Sequence, residues 1–252
     1  MSPLTNNTRL AEALETWPEW PQEIRGECIG LQALCGGLTN ESFILRQRER
    51  ELVLRLDNHR PFEFGIDRAR ERRILEALES LHVAPKLLHQ DVQRHFSIFN
   101  YFPGQELRAS ELHSEAIYDN IYANINRIQT LTVDLPRFNY VSAVEHYCTQ
   151  LAARNKAQSD PRFATFYREL KTWQNSGWHG VICHHDLRPE NMIRGPDSVI
   201  FIDWEYAALG HPDFDKLALS RQRQRINDYP ENAIIEQVIY WLDHLWLQLQ
   251  SA

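Results

Sequence analysis

The sequence predicts an α+β fold in two lobes, with an N-terminal antiparallel sheet and one main helix ahead of a mostly helical C-terminal lobe. Three observations carry this. Strand-like segments joined by well-placed turns crowd residues 28–102, helical spacing dominates from Glu111 onward, and Pro103-Gly104 punctuates the change between them. The boundary falls there, giving lobes of residues 1–103 and 104–252. At 252 residues the chain is long enough to bury a core in each part and leave a cleft between them.

The first three strands are CIGLQALC from Cys28, ESFILRQ from Glu41 and ELVLRLD from Glu51. Gly36-Gly37-Leu38-Thr39-Asn40 turns the chain between the first two, and the charged run at residues 48–50 turns it between the second and third. A helix is predicted over residues 66–81, where Ile74, Leu75, Leu78 and Leu81 recur at helical spacing, and Pro85 ends that region. A strand pair at residues 85–89 and 96–102 completes the sheet. Residues 111–173 read as helices broken near Pro136 and Pro161, and residues 232–250 as an amphipathic terminal helix. Between these helices two short apolar strands, residues 181–183 and 199–202, frame the polar motifs. No internal repeat is present.

Composition narrows the function. Hydrophobic and charged contents of 43% and 24% are those of an ordinary globular protein, with no low-complexity tract. A net charge of -7 argues against a nucleic-acid surface, which needs clustered uncompensated Lys and Arg. The basic run at residues 68–73 is interleaved with Asp67, Glu71 and Glu76 and reads as a helix face of paired charges. Cys28, Cys35, Cys148 and Cys183 are scattered, so neither a zinc knuckle nor a disulfide framework is indicated. No apolar signal region opens the chain and no apolar run reaches the roughly 18 residues of a membrane span. The expectation is a cytoplasmic protein with free thiols and no membrane partner; oligomeric state is not legible.

The chemistry concentrates in CHHDLRPEN at Cys183, where Asp186 precedes Asn191 directly after an apolar strand, and in Asp203 at the end of VIFI. Phosphoryl transfer needs one carboxylate to orient the attacking hydroxyl and take its proton, and a separate carboxylate and amide oxygen to hold magnesium against the phosphates. Asp186 fits the base, and Asn191 and Asp203 the metal ligands. Each alone is an ordinary turn or capping residue; the pattern lies in the conjunction. A metal-hydrolase site of His184, His185, Asp186 and Asp203 is the competing reading, but no further histidine motif at ligand spacing supports it and Asn191 would go unused.

CHHDLRPEN followed by VIFIDWEYAALGHPDFD resembles the aminoglycoside phosphotransferase and choline kinase superfamily, most closely its bacterial choline-kinase-like and thiamine-kinase-like members. The resemblance implies a protein-kinase-like fold, ATP and Mg2+ as cofactors, and the same assignment of Asp186, Asn191 and Asp203. It extends to Gly36, Gly37, Thr39 and Asn40, similar to the family's GGxTN loop over the nucleotide phosphates. Glycines there let backbone amides approach phosphate oxygens, although a Gly-Gly pair is also an ordinary hairpin turn. Arg55 stands where protein kinases carry a phosphate-binding lysine, and Glu71, in a DRxxE pattern, is its expected carboxylate partner. Asn100 and Tyr101 occupy the inter-lobe hinge, whose backbone would meet the adenine edge.

In the same family wording His185 is the motif histidine that supports the loop, and Asp215 the downstream aspartate that braces it. Lys216 departs from the family there, where an apolar residue is usual. Glu205, two residues beyond Asp203, would face the same side if the strand continued, beside the metal or the acceptor. The terminal helix offers Tyr240, Trp241 and Trp246 for an aromatic cage around a cationic acceptor. Choline kinases carry two tryptophans three apart in this segment; Trp246 matches the first, and Leu249 replaces the second. Aromatic residues on such a helix equally serve as core.

The resemblance implies a kinase for a small, cationic alcohol such as choline, ethanolamine or thiamine. An aminoglycoside- or sugar-type O-phosphotransferase is the alternative, disfavoured by the short stretch after DWE. A catalytically silent nucleotide-binding module would lack one of the three polar groups, and a peptide kinase would show DFG and an APE-like segment, neither of which occurs.

Overall fold

A computed structural model describes residues 8–34, 40–58, 60–156, 158–196, 198–226, 230 and 233–251. Its N-terminal part is a five-stranded antiparallel sheet in the order β1-β2-β3-β5-β4, from β1 (Gly30–Leu34), β2 (Glu41–Arg46), β3 (Glu51–Leu56), β4 (Leu87–Asp91) and β5 (Phe96–Asn100). Period-two alternation decides how it packs. Phe43 and Leu45 of β2, Leu52 and Leu54 of β3, and Phe96 and Ile98 of β5 share one face and are buried against Leu10, Ala13 and Trp20. Leu10 and Ala13 belong to α1 (Thr8–Glu15), a helix the sequence reading did not foresee.

The other face carries Val53, Arg55, Ser97 and Phe99 toward the single long helix of this lobe, α2 (Arg68–Leu78). Asp67 caps α2 by accepting from the amides of Ala69 and Arg70 at 3.1 and 3.0 Å, and Ile74, Leu75 and Leu78 bury its apolar stripe. The helix is shorter than the predicted 66–81 because residues 79–81 tighten into a 3₁₀ turn ended by His82 at φ 54°.

Beyond Gly104 the chain is mainly helical: α3 (Glu115–Ile128), α4 (Tyr140–Ala153), α5 (Pro161–Gln174), α6 (Phe214–Gln224) and α7 (Ile234–Gln250). Tyr140 and Val144 of α4, Phe166 and Leu170 of α5, and Trp241 and Leu245 of α7 form one buried cluster. A second cluster runs from Leu75 and Leu78 of α2 into Ile121 and Ile125 of α3 and Met192, Phe201 and Trp204, which fastens the sheet lobe to the helical one.

Small sheets carry the polar motifs. β7 (Val181–Cys183) pairs with β10 (Ala208–Gly210), and β8 (Met192–Arg194) joins β6 (Gln105–Glu106) to β9 (Val199–Phe201). The two predicted strands are present; β6, β8 and β10 are additional. None of the described helices is long and apolar enough to cross a membrane. Cys28, Cys148 and Cys183 are free thiols, and Cys35 lies outside the described residues.

Candidate active site

The loop after β7 is held from beneath. Asp215, buried at the start of α6, accepts the amides of His184 and His185 at 2.7 and 3.1 Å. Burial pushes its carboxyl above the usual range, which the two amides and nearby His184 resist. His184 is the bridging histidine: its Nε2 lies 2.9 Å from the Ile202 carbonyl and its Nδ1 accepts the Asp186 amide at 3.3 Å. The sequence reading assigned this supporting role to His185 alone. His185 is also structural but sits differently, at φ 64°, with its ring against Phe138 and Phe214 and its Nε2 2.9 Å from the Tyr140 hydroxyl. Both histidines are thereby committed to the scaffold, and among the described residues no cluster of three or more His, Cys, Asp or Glu has metal-binding geometry.

Asp186 stands above this floor with each carboxylate oxygen accepting a donor. Asn191 Nδ2 donates to Oδ2 and to the Asp186 carbonyl, both at 2.9 Å, which leaves the amide oxygen of Asn191 as the group with lone pairs to offer. Arg188 Nε donates to Oδ1 at 2.6 Å.

Asp203 follows β9 in the left-handed conformation, φ 61° and ψ 63°, a strained setting for a non-glycine residue and one that recurs at functional sites. Its Oδ1 is buried without a hydrogen bond among the described residues; Arg55 Nη1, the facing cation, is 3.6 Å away. Burial, then the negative charge of Glu205, pushes the Asp203 carboxyl well above the ordinary range. A buried carboxylate oxygen with no hydrogen bond among the described residues, one residue beyond Ile202, whose amide donates to the Asn191 carbonyl at 2.9 Å, suits a hard divalent cation with the Asn191 amide oxygen as a second ligand.

Arg55 and Glu71 meet as expected, and more closely tied than the sequence showed. Arg55 Nη1 and Nη2 reach Glu71 Oε1 and Oε2 at 2.7 and 3.0 Å, and Nε reaches Asp57 at 2.6 Å. Asp57 also accepts from the Ser97 hydroxyl at 2.8 Å. Burial alone would raise the Glu71 carboxyl, but Arg55 and Arg68 override it and hold it at about 2. Arg68 donates to Glu71 at 2.7 Å, to Asn40 at 3.1 Å and to Glu205 at 3.0 Å. The run at residues 68–73 is therefore not one solvated face: Arg68 points inward, and Arg70 donates to the Ala207 carbonyl at 2.8 Å, while Arg72 pairs with Glu76 outside.

Glu205 departs from its expected place. The strand ends at Phe201, and Asp203 and a 3₁₀ turn over Trp204–Tyr206 interrupt the alternation, so Glu205 turns inward and is buried. Its carboxylate accepts from Asn40, just before β2, at 2.8 Å and from Arg68, latching the sheet and α2 to the turn after Asp203. Asn40 is accordingly part of this latch, its Oδ1 accepting the Asn58 amide at 3.0 Å. Gly36, Gly37 and Thr39 lie outside the described residues. At the hinge, the Asn100 amide donates to the Lys86 carbonyl at 3.2 Å and the Tyr101 amide to the Glu51 carbonyl at 3.4 Å, so both predicted hinge amides are engaged within the sheet lobe.

Asp186 lines a cavity of about 600 Å³ between α2, α4, the loop after β7 and α7. Phe138, Tyr147, Tyr206 and Trp246 give it aromatic walls, and Arg188 and Asp243 add charge. Trp246 is on the wall and donates to the Tyr206 hydroxyl at 2.8 Å. Tyr240 is not: it stacks on His244 one turn along α7 and packs against Trp241, on a different face from Leu242, Asp243 and Trp246. Asp243 was missed, although an acid three residues before Trp246 on one helical face is a legible signal.

The sequence matches the phosphotransferase enzyme family over residues 30–248. A LicA homolog of Mycoplasma capricolum subsp. capricolum is 24% identical over 204 residues, 79% of this chain and 76% of that protein. Among solved structures, the choline kinase LicA from Streptococcus pneumoniae superposes with a TM-score of 0.71 at 19% identity, over 96% of this chain and 91% of that one. An ethanolamine kinase from Plasmodium vivax superposes with a TM-score of 0.72 at 16% identity, over 98% and 85% of the two chains.

Proposed function

This chain belongs to the phosphotransferase enzyme family, and from that premise we propose that it transfers the γ-phosphoryl group of ATP to the hydroxyl of a small cationic alcohol, with choline and ethanolamine the leading acceptors. The observation that carries the reading is the position of Asp186 on the wall of a cavity lined by Phe138, Tyr147, Tyr206 and Trp246 and bearing Asp243. Aromatic faces and a carboxylate are what a quaternary or primary ammonium selects. The solved relatives named above act on choline and on ethanolamine by their own descriptions, which points to the same acceptor class. Thiamine, the third acceptor in the sequence reading, has no counterpart among those three relatives.

In this reading residues 1–103 hold the nucleotide and residues 104–252 the acceptor. Asp186 orients the acceptor hydroxyl and takes its proton, with Asn191 fixing the carboxylate through Nδ2. Mg2+, when bound, neutralises charge on the transferring phosphates. Asp203 Oδ1, which has no hydrogen bond among the described residues, and the amide oxygen of Asn191 would hold it. Arg55 spends three of its five N–H groups on Asp57 and Glu71, which fixes the guanidinium and leaves donors for phosphate oxygens. Catalysis rests on positioning and charge more than on covalent chemistry.

The test is a screen of the purified protein with labelled ATP, Mg2+ and choline, ethanolamine, thiamine and aminoglycosides in parallel. Phosphorylation of choline or ethanolamine that disappears in Asp186→Ala supports the reading. Transfer to an aminoglycoside alone would replace the acceptor class, and nucleotide binding without transfer to any alcohol would leave only a silent module.

A further inference from the structure

Arg188 lies where a cationic acceptor would lie. Its Nε is 2.6 Å from Asp186 Oδ1, its Nη2 is 3.3 Å from Asp243 Oδ1, and its guanidinium carbon is 5.8 Å from the centre of the Trp246 ring. These three partners are the base, the one acid that α7 contributes to the cavity, and the tryptophan of its wall. The guanidinium thus shows that this corner accepts a cation, and it shows the corner already taken.

We propose that Arg188 is a built-in occupant of the acceptor's cation subsite, so that a cationic acceptor binds by exchanging with the guanidinium, and the exchange clears Asp186 for the hydroxyl. The inference rests on the cationic-acceptor reading above and adds to it a positioning and specificity role for this chain's own Arg188.

The backbone around Arg188 is pinned. Its amide donates to the Asp186 carbonyl at 3.0 Å, its carbonyl accepts the Asn191 amide at 2.9 Å, and Gln222 donates to the Leu187 carbonyl at 2.9 Å. The loop cannot swing away without losing the hold on Asn191, so the exchange is confined to the side chain, which is long and rotamer-rich. That side chain retains 36% of its exposure and Asp243 56%, so their pairing is wet and weak enough to be displaced. Both oxygens of Asp186 meanwhile carry donors, Nε of Arg188 on one and Nδ2 of Asn191 on the other. Of the two, Asn191 is committed to the loop and Arg188 is the donor that can leave. An acceptor with a positive head gains Asp243 and Trp246 as Arg188 departs, whereas a neutral alcohol brings nothing to replace the lost pairing. The device therefore favours charged acceptors beyond what the aromatic walls provide.

The test measures binding of tetramethylammonium, which has the charge of a quaternary acceptor and no hydroxyl to phosphorylate, by calorimetry without nucleotide. Two ion pairs and one aromatic contact at partly exposed positions translate into a gain of about 5- to 30-fold in affinity when Arg188 is removed. Arg188→Ala and Arg188→Gln should both show it, the second keeping a polar side chain should the first fold poorly, and Asp243→Asn added to Arg188→Ala should abolish the gain. With choline and Mg-ATP, KM for choline should fall in the Arg188 variants by a similar factor while kcat changes far less. Binding of tetramethylammonium that is unchanged or weaker in both Arg188 variants, or absent in every form, overturns the proposal, as does a fall in kcat and melting temperature with no tightening. Because the binding assay needs no turnover, it separates the two readings. A chain that phosphorylates choline yet binds the cation more weakly without Arg188 keeps its function and loses this inference, and one that shows the exchange without transfer to any alcohol does the reverse.

Discussion

Arg55 of β3 and Glu71 of α2 meet through both prongs of the guanidinium, at 2.7 and 3.0 Å, with 7% and 1% of their side-chain surfaces exposed. The pair joins the sheet to its helix and aims a fixed positive charge at Asp203. Removing one partner of a buried pair leaves the other short of compensation, and Glu71→Ala would do so for two cations at once, leaving Arg55 with Asp57 and Arg68 with Glu205 and Asn40. The expected loss is about 3–5 kcal/mol in urea unfolding, together with weaker nucleotide binding. Arg46 and Glu51 form an internal control: they pair at 2.9 Å but are 46% and 39% exposed. Glu51→Ala should cost no more than about 1 kcal/mol. Equal losses at the two sites would mean that burial does not set the strength of the Arg55–Glu71 pair.

Asp203 presents the opposite balance. Its carboxyl is driven up by burial and by Glu205, and its Oδ1 has no hydrogen bond among the described residues, so in the apo protein the charge is a burden on stability. Asp203→Asn should therefore raise the melting temperature by a few degrees while removing turnover. Mg2+ with a nucleotide should stabilise the parent protein and do so much less in the variant. A variant that melts lower than the parent and still gains stability from Mg2+ would contradict the role assigned to this oxygen.

How much of this was legible in the sequence follows from the range of each interaction. The alternation in β2 and β3, the stripe of Ile74, Leu75 and Leu78, and the spacing of Asp186, Asn191 and Asp203 are local patterns, and each was visible. The three-residue strands β8 and β10 are too short to show a period; β10 depends on β7 earlier in the chain, and β8 on a hairpin with β9 and on the distant β6. Arg68 and Asp57 look like solvated charges in sequence, and Glu205 like a neighbour of metal or acceptor, because the contacts that join them, Arg68 to Asp57 and to Glu205, link segments far apart in the chain. His184 and His185 are adjacent and chemically alike; only the left-handed φ of His185 sends one ring to the Ile202 carbonyl and the other toward Tyr140.

Gly210 is required by that second ring. A Cβ at this position would lie 2.5 Å from His185 Nε2 and 2.7 Å from the Tyr140 hydroxyl, closer than packed atoms tolerate. Both groups are held, His185 by aromatic neighbours and Tyr140 by the His211 amide at 3.0 Å, so the strain has no cheap outlet. Gly210→Ala should destabilise by about 1–3 kcal/mol and lower kcat by displacing the loop that bears Asp186. Gly177, where a Cβ meets nothing within 4 Å, should accept Ala with little change in unfolding free energy.

Acid should lower the stability of this protein over two pH intervals. Burial first, and the charge of Arg70 second, lower His185 to about 3 from an ordinary 6.5, so it is neutral when folded while the unfolded chain takes up a proton as pH falls through 6.5. Its contribution is therefore present above 6.5 and is lost progressively toward 3. Glu71, held at about 2 against an ordinary 4.5, stabilises above 4.5 and loses that contribution below it. Asp203 and Asp215 act in the opposite sense, since their raised carboxyls bind protons in the folded state and favour it at lower pH. His185→Phe isolates the histidine, because an aromatic ring still fills the space between Phe138 and Phe214 while the proton-binding group is gone. Between pH 6 and 4.5 the unfolding free energy of the parent should fall more steeply than that of the variant, by about 1 kcal/mol per pH unit, the slope of one differentially bound proton. Parallel curves through that interval would show that His185 takes up its proton equally in both states, and the buried, neutral imidazole beneath the loop would have to be abandoned.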